Sequence, residues 1–128
     1  MQDGVLEVIR KEYPQSPSLE RTKQRLGTYK IILEGISNPN ISLNKRKAMA
    51  HQIIPIQRSI KRLKETMPEN KFFLFYKNVI EGQSIKSLSI DYGVDTKTVR
   101  RAKNHAIRKL SILLYSDLVI AEIYTVGW

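Results

Sequence analysis

At 128 residues, with 22 Lys and Arg against 12 Asp and Glu and a net charge of +10, the chain can enclose a hydrophobic core. It is too short for an enzyme built of two lobes. It has no cysteine, which excludes disulfides, thiolate catalysis and cysteine-type zinc sites. The positive excess favours a polyanionic partner, nucleic acid rather than an anionic membrane, because the basic helices spend their apolar faces on packing.

His51 and His105 stand far apart in the sequence, so neither a metal site nor a cofactor is expected. No apolar run approaches the roughly 20 residues of a membrane span. The opening MQDGVLEVIRKEY lacks the basic region followed by an apolar run of a signal peptide, so a cytoplasmic location is expected.

In chain order, residues 1 to 13 predict a short helix carrying Val5, Leu6 and Ile9 on one side and ending before Pro14. Ser16 and Pro17 then mark a helix start, with Ser as cap and Pro in the first turn. From there Leu19, Thr22, Leu26, Tyr29, Leu33 and Ile36 recur at heptad spacing, and Gly35 is placed to cap the end. After an SNPN loop a second helix starts near Ser42, with a seam of Met49, Ile53, Ile56, Ile60, Leu63 and Met67. That seam stays in phase across Pro55, which argues for a kink and not a break. The two seams predict an antiparallel helical hairpin over residues 1–69, either folded onto the C-terminal part of the chain or used for dimerisation. The second helix also carries Lys45, Arg46, Lys47, Arg58, Lys61, Arg62 and Lys64, which suit either DNA phosphates or plain solvent.

Pro68 ends the hairpin, and residues 70–128 form the second unit. KFFLFYKNVIEG gathers Phe72, Phe73, Phe75, Tyr76, Val79 and Ile80. Aromatics among lysines can stack on single-stranded bases, but this density before a helix pair reads as hydrophobic support. Ser84 caps a helix burying Ile85 and Leu88, Gly93 breaks it, Val94 plugs the gap and Asp95 caps the next helix. TKTVRRAKNHAIRKLSILL then continues without Gly or Pro, with Val99, Ala102, Ala106, Leu110 and Leu113 as its inward stripe. The fold class is therefore all-α, a hairpin followed by a helix-turn-helix. The tail SDLVIAEIYTVGW is apolar, and its Leu118, Val119, Ile120, Ile123, Tyr124 and Trp128 are expected either to cover the hairpin or to pair with a second subunit.

In a docked helix-turn-helix the N-terminal half of the second helix reaches the bases. Direct readout is expected from Lys97, Thr98, Arg100, Arg101 and Asn104, Arg being suited to guanine edges and Asn to adenine. Arg108 is expected on phosphate, and Thr96 and Ser84 complete the candidate DNA-binding set.

The run FFLFYKNVIEGQSIKSLSIDYGVDTKTVRRAKNHAIRKLSILL resembles region four of bacterial sigma factors. Glu81, Gly82, Ser84, Gly93, Val94, Thr98, Val99, Arg100, Ala106, Ile107, Lys109 and Leu110 carry the likeness, while Ser89 and Tyr92 depart from the small and aliphatic residues usual there. As a whole, size, hairpin and basic balance resemble the RinA and ArpU type of late-transcription regulators in phages and prophages of Gram-positive bacteria. The resemblance implies an activator that binds upstream of a late operon and contacts host RNA polymerase. These 128 residues hold no counterpart of sigma regions two and three, so a complete primary sigma factor is not expected.

The expected function is sequence-specific binding of double-stranded DNA at a promoter or operator, as a transcription regulator and not an enzyme. The alternative is a small terminase-like packaging protein, which also combines a helix-turn-helix with helical oligomerisation segments. No Ser/His/Asp, paired-carboxylate or phosphate-loop constellation supports catalysis. A homodimer would read two half-sites one or more helical turns apart.

Overall fold

A computed structural model describes residues 17–125. The expected helix at 1–13, the Ser16 cap and Trp128 lie outside the described residues. The described chain is all-α: α1 (Pro17–Ile36), α2 (Leu43–Thr66), α3 (Glu69–Phe75) running into a π-helical turn (Tyr76–Ile80), α4 (Ile85–Tyr92), α5 (Thr96–Leu114) and α6 (Ser116–Thr125). No helix among the described residues is long and apolar enough to cross a membrane.

Helix boundaries follow local chemistry. Ser42 opens α2 by accepting the Lys45 N–H at 3.4 Å, and α2 runs unbroken through Pro55 to Thr66. Ser84 opens α4 by accepting the Ser87 N–H at 3.0 Å. Gly93 ends α4 in the left-handed region at φ 64°, where any Cβ is costly. Asp95 Oδ1 accepts the Lys97 N–H at 2.9 Å to start α5. Gly82 supplies a second left-handed turn, at φ 80°, after the π turn.

Two apolar clusters organise these helices. The larger joins Leu26, Tyr29 and Ile32 of α1 to Ile53, Ile56, Ile60 and Leu63 of α2, then to Phe72 and Phe75, and finally to Ala106, Ile107 and Leu110 of α5. The smaller holds Leu74, Leu88, Val99 and Ala102, with Ile85 and Val94 at its edge. α5 is common to both. Ser89, unusual in the sequence pattern, donates its hydroxyl to the Val94 carbonyl and so ties α4 to the turn. Tyr92 meets Phe73 edge-on, with ring centroids 5.0 Å apart, which gives that aromatic a partner on α3.

Several packing details differ from the heptad reading. Ile32 is buried on α1, whereas Leu33 and Ile36 only flank the core. Gly35 does not adopt a left-handed cap; α1 continues to Ile36, and a Cβ on Gly35 would stand 3.2 Å from Met49 Sδ, so the residue permits close approach of α1 and α2. Leu113 is 41 % exposed, and Ile107, Ser111 and Leu114 take the inward positions. The cause is a change of neighbour along α5. Its first turns face α3 and α4, its last turns face α1 and α2, and the buried stripe drifts around the helix to follow them.

The C-terminal helix is only half turned inward. Val119 is 2 % exposed, but Ile120, Ile123 and Tyr124 are exposed, Tyr124 at 82 %. What anchors α6 is polar. Glu122, 2 % exposed, accepts the Ser18 N–H at 2.7 Å and the Ser18 hydroxyl through its other oxygen, at the N-terminus of α1. Thr22 Oγ1 donates to the Ser18 carbonyl at 2.8 Å, and its oxygen lies 2.7 Å from Ser111 Oγ, which also bonds the Ile107 carbonyl. This buried knot joins α1, α5 and α6, with the carboxylate matched to the positive end of the α1 dipole.

Candidate nucleic-acid interface

α5 and α2 are both rich in cations, with six Lys and Arg on α5 and seven on α2, and α5 is the one that follows the Gly93 turn. With Val99, Ala102, Ala106 and Leu110 turned into the two clusters, the opposite side is forced outward. Lys97, Arg101, Asn104 and Arg108 recur at spacings of four, three and four, so they form one stripe along that outward side, and all are exposed. Thr98 is exposed beside the stripe, and Arg100 is exposed on its other flank.

Thr98, Arg101, Asn104 and Arg108 line a cleft of 480 Å³ together with His105 and with Lys71 from α3. Burial and then the charges of Lys109, Lys71 and Arg108 hold the His105 imidazole below its ordinary pKa. The neighbouring cations add to the effect of burial, and a cleft so lined with positive charge suits an anion.

Four candidate residues sit apart from this cleft: Lys97 and Arg100, already placed on α5, and Ser84 and Thr96. Ser84 lies at the start of α4, and its hydroxyl accepts the Ser87 N–H as the helix cap. Thr96, half-buried, begins α5, and its hydroxyl reaches Asp95 Oδ1 at 3.5 Å. Sequence reasoning does not place Lys71 or His105 in the DNA-binding set. His105 is legible there, since it follows Arg101 by one turn and Thr98 by two. Lys71 is not, because only the packing of α3 on α5 brings it alongside.

The arrangement can do two things chemically. Arginine forks and an asparagine amide on one exposed helical stripe can hydrogen-bond base edges, and the surrounding cations can neutralise phosphates. Comparison of the chain with protein-family models, curated proteins and solved structures finds no match.

Proposed function

We propose that the protein is a sequence-specific DNA-binding transcription regulator that inserts the N-terminal half of α5 into the major groove. On this reading α4, the Gly93 turn and α5 are a helix-turn-helix of the sigma region-four kind, and α1 with α2 is an antiparallel hairpin buttressing it. The observation that carries the reading is the exposed Lys97, Arg101, Asn104 and Arg108 stripe, on a helix held rigidly from behind by two apolar clusters. A helix of about 10–12 Å diameter fits a major groove of about 12 Å. The narrower role, activation of phage late genes with host RNA polymerase, rests on the sequence resemblance alone. A second copy would pair through the exposed Ile120, Ile123 and Tyr124 of α6.

The test is selection of binding sites from a random duplex pool, followed by Arg100→Ala with Arg101→Ala. Both side chains are exposed, so the variant keeps its helical circular dichroism and melting temperature. Its preference for selected over random duplexes is expected to vanish. A retained preference overturns the assignment of base readout to α5.

A further inference from the structure

A helix lying in the major groove runs between two rows of phosphates, one on each wall. The Lys71 and His105 cleft supplies cations on one flank of the α5 stripe only. On the other flank α1 and α5 both supply cations. Lys23 shares a notch of 190 Å³ with Asn104 and Arg108, so it borders the stripe directly. That notch leads to a cleft of 330 Å³ in which Lys23, Lys30 and Lys103 stand over Leu26, Val79 and Ile107. Arg100 is exposed on this same flank, one turn before Lys103 and Asn104.

We propose that Lys23 and Lys30 of α1, with Lys103, bind the phosphodiester backbone on the second wall of the groove, so that α1 and α3 clamp the duplex from opposite flanks of α5. The inference rests on the DNA-binding reading above, and it extends the interface to a helix outside the helix-turn-helix. Lys23 and Lys30 are separated by two turns on one face of α1, about 10 Å along the axis, which lets them meet different phosphates of one strand. Lys23 is partnered by Glu20 at 3.5 Å, with both side chains 47 % exposed. Such a pair is weak in water and is readily exchanged for phosphate. Gly27 lines the cleft, and nothing stands within 4 Å of where its Cβ would be, so the approach is open.

The experiment is the salt dependence of binding of the full chain to random-sequence duplex DNA, for the wild type, for Lys23→Gln with Lys30→Gln, and for Glu20→Gln. Each phosphate neutralised contributes about 0.9 to the slope of log affinity against log salt. The double variant is expected to lower that slope by about 2 and to weaken selected and random duplexes by the same factor. Glu20→Gln is expected to tighten binding, since it frees Lys23. Far-ultraviolet circular dichroism and melting establish that both variants fold. A slope unchanged in the double variant, with the wild type binding, overturns the clamp and leaves the α5 reading standing. A wild type that binds no duplex overturns both.

Discussion

The two halves of α5 are built for different tasks. The C-terminal half closes the large cluster against α1, α2, Phe72 and Phe75, and its Ser111 belongs to a buried polar knot with Ser18 and Thr22. The N-terminal half rests on only four buried residues, Leu74, Leu88, Val99 and Ala102, and shows solvent a row of cations. Mutual repulsion of Lys97, Arg100 and Arg101 is offset by apolar burial at the other end. One end of a helix can therefore be highly charged if its far end is anchored, because helical continuity transmits that anchorage along the 19 residues of α5.

The sharpest challenge to this division is core truncation. Phe75→Ala, in the large cluster and fully buried, is expected to cost about 3–5 kcal/mol in denaturant unfolding. Leu88→Ala in the small cluster is expected to cost about 2–5 kcal/mol, with amide exchange rising in α4 before α1 and α2. Equal acceleration in all helices would show that the two clusters open as one and would end the distinction.

A smaller effect is expected at the polar knot. Glu122→Ala removes the carboxylate that accepts from Ser18, at about 1–3 kcal/mol, while Glu122→Gln retains an acceptor and costs less. The loss should appear as a lower melting temperature with DNA affinity unchanged at a temperature where the protein is folded. An unchanged melting temperature for Glu122→Ala would mean that α6 does not anchor the far end.

The mildest expected effect concerns the cationic cleft on α5. His105 has its pKa lowered by burial and by Lys109, Lys71 and Arg108, so it stays neutral in the free protein until below about pH 6.5. Because the unfolded chain takes up that proton first, the contribution to stability is present above about pH 6.5 and is lost as pH falls. Bound phosphate opposes the surrounding cations and raises the same pKa, so DNA affinity is expected to increase on acidification through that window. His105→Gln should remove that component of the pH dependence when affinity is titrated at constant ionic strength. An unaltered profile would exclude contact between phosphate and this cleft.

The features legible in the sequence share a physical cause. Gly93 and Asp95 locate the turn because a left-handed backbone and an N-terminal cap each demand particular residue types within one or two positions. The α2 seam is readable from Ile53 to Leu63 because one face of that helix meets a nearly constant environment. Leu113 is misplaced by periodicity for the opposite reason, since α5 changes partners midway and a fixed repeat cannot track the change. Ile32 replaces Leu33 in the core because the two follow Tyr29 by three and four residues, on either side of its face, and only the packing of a neighbour chooses between them.

The sequence by itself determined the all-helical class, the start of α5 and its basic character, since propensity, capping and charge act over a few residues. Tertiary structure alone decided that Lys71 joins Arg101 and His105, that Lys23 borders Asn104, and that Glu122 meets Ser18 across 104 positions of chain. Those pairings depend on the packing angles of helices remote in sequence, and no local pattern encodes an angle that emerges only when the side chains of both partners interlock.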